Sequence, residues 1–199
     1  MKWIIASIST IIALALPLVA SAATWTIDPE HSTVGFKVRH LMVSNVSGSF
    51  ENHSGTVDIN DKDITKSRVE VSIDTSSINT HVQKRDQHLR SADFFDVAKY
   101  PTMTFLSKKV AKVGNDRLKV TGNLTLHGVT KEVVLDVEGP SKESKDPWGV
   151  IRRGATASTK INRKDFGLLW NKSLETGGVV VGDEVNITLE IEMVKAQAK

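Results

Sequence analysis

The densest run of groups able to move protons is Lys84-Arg85-Asp86-Gln87-His88-Leu89-Arg90, followed by Asp93 and Asp96. A carboxyl and an imidazole at short spacing are the ordinary partners of general acid–base work. With His127 added, Asp86 and His88 form a candidate hydrolytic or isomerising set, provided the fold brings all of them together. The same residues also describe a solvated helix face with local ion pairs, which needs no convergence. The 6 histidines are His31, His40, His53, His81, His88 and His127, and their spacing does not suit a metal. His81 and His88 lie two helical turns apart, too far for one ion, and Arg39 beside His40 disfavours a second cation there. No metal site is expected.

Other catalytic signatures are missing from the chain. It has no Gly-x-Ser-x-Gly elbow and no Gly-rich phosphate loop. The absence of cysteine excludes a thiol nucleophile, a disulfide scaffold, a zinc finger and a cysteine-ligated iron–sulfur cluster. Asp28 and Glu30 near His31 suit a turn at the start of a strand better than chemistry. The 26 Lys and Arg against 23 Asp and Glu are dispersed, so nucleic acid is not an expected partner.

What must position these residues begins after an address. Met1-Lys2 is a short positive start, Trp3 to Val19 is largely apolar, and Ala20-Ser21-Ala22 fits a signal-peptidase site. Residues 1–22 are read as a cleaved leader and 23–199 as a single soluble, exported domain. The same stretch is long enough to be an uncleaved anchor, but Pro17 and the Ala-x-Ala step favour cleavage.

The remainder reads as strands. Val185, Ile187, Leu189, Ile191 and Met193 alternate with polar residues without a break. So do Leu118, Val120, Leu124 and Leu126, with Gly122 on their side. Val133, Leu135 and Val137, then Val69, Val71 and Ile73, then Val34, Phe36 and Val38 repeat the pattern. Further strands are expected around 44–59, 101–111 and 148–161. About eight half-solvated strands joined by turns such as Val113-Gly114-Asn115-Asp116 pair antiparallel and suit a closed barrel. A two-sheet sandwich stays open on pattern alone. One helix interrupts the strands: Thr80-His81-Val82-Gln83 matches a capping box, with Val82, Asp86 and Leu89 on one face. The segment 160–178, with Phe166, Leu168, Leu169 and Trp170, is too apolar for a solvated loop and is expected to cover an end of the barrel.

Gly154-Ala155-Thr156-Ala157-Ser158 is a strand of small residues, and it cannot fill a barrel interior by itself. Either a bulky neighbour such as Phe36, Phe50 or Trp170 packs across from it, or a ligand tunnel runs past it. A tunnel with such walls would take an apolar ligand, since burying alkyl chain gains about 0.8 kcal/mol per methylene.

At this point the residues support a resemblance. Ile27-Asp28-Pro29-Glu30-His31-Ser32, Val34-Gly35-Phe36 with His40, and Gly48-Ser49-Phe50 with Gly55 resemble the opening of YceI-like proteins. Asp74-Thr75, the run Arg85 to Asp96, Tyr100-Pro101 and the pair Phe105 and Ser107 continue it. Val120 to Lys131, Arg163-Lys164-Asp165-Phe166-Gly167 and Gly182-Asp183-Glu184-Val185 complete it, in order, over nearly all of 23–199.

The resemblance implies an all-β, extended lipocalin-like barrel of about eight antiparallel strands, with one short helix and a tunnel-like apolar cavity. It implies a non-catalytic periplasmic protein that sequesters or carries a long-chain isoprenoid, polyprenyl or quinone-type, or a similar amphiphilic lipid. No cofactor is expected beyond that lipid ligand. The tunnel wall is then expected at Val34, Phe36, Val38, Phe50, Val71, Ile73, Phe94, Phe95, Met103, Phe105, Leu124, Leu135, Ala155, Ala157, Phe166, Leu169, Trp170, Ile187 and Leu189. His40, Arg85, Asp86, His88 and His127 are the candidate polar mouth, or latches of the fold. Expected partners are the lipid and, transiently, the inner membrane or a membrane donor protein. A period-two strand edge leaves a homodimer open. The rivals are the enzyme built on Asp86, His88 and His127, and a solid-core stress or adhesion-type interaction barrel.

Overall fold

A computed structural model of the chain describes residues 22–175 and 177–196. The expected leader, apart from Ala22, lies outside the described residues. Among the described residues no helix is long and apolar enough to cross a membrane.

The strands are β1 (Ala23–Ile27), β2 (Thr33–His40), β3 (Ser44–Phe50), β4 (His53–Ile59), β5 (Arg68–Asp74) and β6 (Ile78–Asn79). After helix α1 (Gln83–Arg90) come β7 (Thr102–Lys112), β8 (Arg117–Leu126), β9 (Val129–Glu138), β10 (Ser144–Lys145), β11 (Ile151–Asn162) and β12 (Val181–Lys195). All pairings between them are antiparallel. The ring β12–β1–β4–β5–β7–β8–β9–β11 returns to β12 and closes an 8-stranded barrel. The sandwich alternative is thereby set aside.

The first strands are interrupted rather than continuous. Along one edge, β12 pairs β1 near Lys195 and β2 from Glu190 to Val181. Between them the chain turns at Asp28, whose carboxyl accepts the Glu30 N–H at 3.1 Å. The Ser32 hydroxyl takes the place of a backbone acceptor for the Glu192 N–H, at 3.0 Å, and donates at 3.2 Å to the Glu192 carbonyl, which also accepts the Asp28 N–H at 2.9 Å. β3 pairs β2 and then the short β6, so the barrel splits toward α1. On the other side β9 meets β11 only at 136–138 against 156–158. The 3-10 turn Arg163–Phe166 and the segment after it pack into that opening.

Alternation does what a barrel requires. Val185, Ile187, Leu189, Ile191 and Met193 all face inward, as do Leu118, Val120, Leu124 and Leu126. A bulge at Ser107–Lys109 lets β7 keep Met103 and Phe105 inward and still turn Val110 inward. Ser107 holds it by accepting the Val69 N–H at 2.8 Å.

The helix start differs from expectation. The cap is Val82, with no side-chain cap bond, and Val82 itself is 46% exposed rather than on the buried face. Thr80 is drawn off by Asp86, whose carboxyl accepts both the Thr80 N–H, at 2.9 Å, and its hydroxyl. Arg85 donates to the Thr80 hydroxyl at 2.7 Å and to its carbonyl at 2.8 Å. Arg90 reaches the carbonyls of Ser76 and Ile78, both at 2.6 Å. These bonds fasten α1 to β6.

Candidate functional site: an apolar cavity

The inward faces line a cavity of about 280 Å³ to whose wall no polar atom of the described residues contributes. Its wall runs along β12 from Val181 to Met193, roughly 40 Å at 3.3 Å per residue. One end is plugged. Trp25 is wholly buried with Ile27, Ile59 and Met193, and the Arg153 guanidinium lies 5.0 Å from its ring while pairing with Asp61 at 2.8 Å. The other end lies under α1, where Leu89, Phe94 and Phe95 complete the wall. The Phe94 ring tilts against Trp170 at 5.1 Å, and His88 stands edge-on to both.

Of the residues expected on the tunnel wall, Val34, Phe36, Val38, Phe50, Val71, Ile73, Phe94, Phe95, Met103, Phe105, Leu124, Leu135, Ala155, Ala157, Ile187 and Leu189 border the cavity. Three expectations need correction. Phe166 is buried in the apolar cluster beside the cavity and does not border it. Trp170 packs outside Phe94 as a cover. Leu169 points outward and is 65% exposed, because Leu168 between them takes the inward place. Neither Phe36, Phe50 nor Trp170 fills the space beside Ala155 and Ala157, so that small-residue strand does border open volume.

Other wall residues were not among those expected, such as Ile59, Val110, Leu118 and Leu168, and one of them, Arg163, alone of the described lining residues carries a charge. Reading the period two of β11 onward from Ala155, Ala157, Thr159 and Ile161 would have reached it. Its Nε donates to the Gly182 carbonyl at 2.9 Å, Nη1 to Leu168 and Nη2 faces Asp183 at 3.5 Å. Burial pushes its pKa down, partly opposed by Asp183. The guanidinium is consumed in tying residues 163–182 together and shows the cavity its apolar stem.

The candidate polar residues do not converge. Asp86 and Arg85 are bound to Thr80, as described. His88 Nε2 is 2.8 Å from Asp93 Oδ2, and residues two apart on a helix, such as Asp86 and His88, face different ways. His127, at φ 52, forms the β8–β9 turn with Gly128, at φ 75, and its ring rests 4.5 Å from that of Tyr100. A Cβ at Gly128 would lie 2.5 Å from the Tyr100 ring, which is why glycine stands there. His40 ends β2, and its carbonyl accepts the Val43 N–H at 3.1 Å. The acid–base set built on Asp86, His88 and His127 thus has each member engaged elsewhere.

A second polar cluster sits where β1 breaks from β2. Asp28, His31 and Glu192 bring their ligand atoms within 4.8 Å of one another. Arg152 already occupies that company, 2.7 Å from Asp28, 2.6 Å from Glu192 and 2.9 Å from Asp146. Arg152 holds the carboxyls of Asp28 and Asp146 below the ordinary 3.8, and the Ser76 hydroxyl and N–H do the same for Asp74. For such carboxyls the unfolded chain binds more protons. The stability they confer is therefore complete above 3.8 and is lost as pH falls through the lower folded values. His31, raised from 6.5 by Asp28, contributes the opposite way: its share is present below 6.5 and is lost as pH rises through the raised value. We expect melting temperature to drop steeply below about pH 4, and the acid limb to flatten in Asp146→Asn. Thermal melts across pH check this, and identical acid limbs in the two proteins would contradict it.

A closed antiparallel barrel, plugged at one end and hollow with apolar walls, defines a class of small β-barrels with an internal apolar cavity. Within that class the chain belongs to the YceI-like family, whose domain model matches residues 25–193. It is 43% identical over 159 residues to a UPF0312 protein of Vibrio parahaemolyticus, an alignment covering 79% of this chain and 84% of that one. It is 44% identical over 151 residues to Protein YceI of Salmonella newport, covering 75% of this chain and 78% of that one. The crystal structure of the Campylobacter jejuni YceI protein matches at TM-score 0.68 and 36% identity, over 80% of this chain and 90% of that one. A polyisoprenoid-binding domain from Saccharophagus degradans shares the fold at TM-score 0.63 and 18% identity, over 88% of this chain and 99% of that one.

Proposed function

We propose that the protein is a non-catalytic carrier, exported to the periplasm, that holds a long-chain isoprenoid or similar amphiphilic lipid inside its barrel. The observation that carries this reading is the cavity itself: about 280 Å³ with no polar atom of the described residues on its wall. Such a space has nothing to offer a polar metabolite. It rewards an alkyl or polyprenyl chain at about 0.8 kcal/mol per methylene transferred from water. The Saccharophagus degradans domain of the same fold is a polyisoprenoid binder, which supports the same ligand class here. The plug of Trp25 and Arg153 favours the chain entering tail first from the α1 end, with its headgroup left there. The apolar leader ending in Ala20-Ser21-Ala22 supports export.

The direct experiment is native mass spectrometry with organic extraction of the purified protein. A co-purifying lipid, or uptake of an added polyprenol or quinone at one equivalent, is the expected result. A protein that is reproducibly empty, and stays empty when offered isoprenoids, sinks the reading.

A further inference from the structure

The hairpin joining β2 to β3 carries an unusual tip. Leu41, Met42 and Val43 are 39%, 48% and 75% exposed, three apolar side chains in succession held in water. Leu41 has φ 49 and Met42 φ 61, in a turn closed by the Val43 N–H on the His40 carbonyl at 3.1 Å. Two successive positive φ values suit Asn-Gly, and a Cβ makes them unfavourable for leucine and methionine. Folding stability alone therefore selects against this tip twice, by its exposure and by its backbone. The tip is nonetheless firmly held. Arg39 Nη2 donates to the Met42 carbonyl at 2.8 Å, and the Leu41 N–H donates to the Val180 carbonyl at 2.8 Å.

Its position relates it to the cavity. Val38 and Val181, at the base of the hairpin, are wall residues, and Val181 pairs with His40. Asn171 bonds Val181 through both its amide atoms, at 2.7 and 3.1 Å, which places the exposed Leu169 on the segment beside the tip. The apolar wall thus continues out of the barrel into an apolar rim. From Thr33 to Phe50 the hairpin has Lys37 and Arg39 and no acidic residue. In the adjoining loop Lys172 and Glu175 balance.

We propose that this rim, Leu41, Met42, Val43 and Leu169, docks the protein on a lipid bilayer with anionic headgroups. The proposal rests on the reading that the cavity takes a lipid, and it names the surface from which that lipid is drawn. The tip is too small for a standard protein interface, which takes roughly 800 Å² from each partner. It does suit insertion of short apolar side chains to the headgroup level, with Lys37 and Arg39 meeting anionic lipid behind them. The cavity end lined by Val38 and Val181 is then turned toward the membrane.

The test floats the purified protein with vesicles of phosphatidylethanolamine and phosphatidylglycerol, or of phosphatidylcholine alone. Binding to the anionic vesicles, weakening with salt, is expected. The double variant Met42→Asp with Val43→Asp should lower it about tenfold or more. Leu41→Asn with Met42→Gly should raise the melting temperature, by relieving the turn, and still weaken flotation, which separates docking from folding. Failure of the unaltered protein to float overturns the proposal. So does flotation that survives both tip variants but is abolished by Trp148→Ala, since the 86% exposed Trp148 lies at the plugged end. Uptake of detergent-dispersed polyprenol, measured on the same variants, should not change. A protein that takes up polyprenol but does not float defeats the rim alone. One that floats by its tip and takes up nothing defeats the carrier reading alone.

Discussion

Ala157→Trp should abolish isoprenoid loading and leave the barrel folded. Ala157 lies on β11, opposite Leu189 on β12 and Val137 on β9, and all three border the cavity. An indole placed there projects into open volume. Overfilling a packed core ordinarily costs about 1–3 kcal/mol, but here there is space to take the ring, and burying it offsets the strain. The guest loses that space. Displacing even five methylenes forfeits about 4 kcal/mol, close to a thousandfold in affinity. Ala155→Trp should act similarly, nearer the plug. Thr156→Trp is the control, because Thr156 faces outward on the same strand and its indole cannot reach the guest. Native mass spectrometry of the three proteins after exposure to polyprenol, with a melt by circular dichroism, reads both effects. Normal loading of a folded Ala157→Trp protein would remove this strand from the binding wall.

That this strand could be singled out from sequence reflects what a hollow barrel does to composition. A sheet with one wet and one dry face writes a period of two, and from Val185 to Met193 it is unbroken because every second residue borders the cavity. Hollowness shows as side chains too small for their place, and Ala155 and Ala157 supply that. The breaks in the early strands are not written this way. At Ser32 a hydroxyl stands in for the backbone, and serine on a strand edge looks like any polar residue. The capping pattern at Thr80 was present but outbid by a tertiary contact, since Asp86 takes the hydroxyl that a cap would have used. Leu169 shows a further limit. Apolarity marks what avoids water, and a residue kept for a lipid surface carries the same mark as one kept for a core. Arg163 is the converse, a wall residue hidden by its charge.

Asp86→Ala should produce the largest loss of stability among the polar residues, and the loss should fall on the lid before it reaches the barrel. Asp86 is 6% exposed and Thr80 4%, so neither has water to turn to. Removing the carboxyl strands the Thr80 N–H, at 2.9 Å in the intact protein, and takes the partner from its hydroxyl. Each buried donor left unpaired costs about 1–3 kcal/mol, so the total is about 2–6 kcal/mol. At about 2–4 °C per kcal/mol for a chain of this size, the melting temperature should fall by roughly 10 °C. Arg85 shares Thr80, and Arg90 anchors the same helix to Ser76 and Ile78. Loosening α1 therefore frees Leu89, Phe94 and Phe95, which close that end of the cavity. The lid should then exchange amide hydrogens faster than β8 or β12, and a bound lipid should leave faster. Asp93→Ala separates latch from catalyst. It removes the 2.8 Å contact with His88 at the surface, where such a pair contributes about 0.2–1 kcal/mol, keeps the His88 ring against Phe94 and Trp170, and should leave loading and release nearly unchanged. If Asp86→Ala melts normally and releases lipid at the ordinary rate, Asp86 is not the latch, and the bonds to Thr80 do not hold the lid.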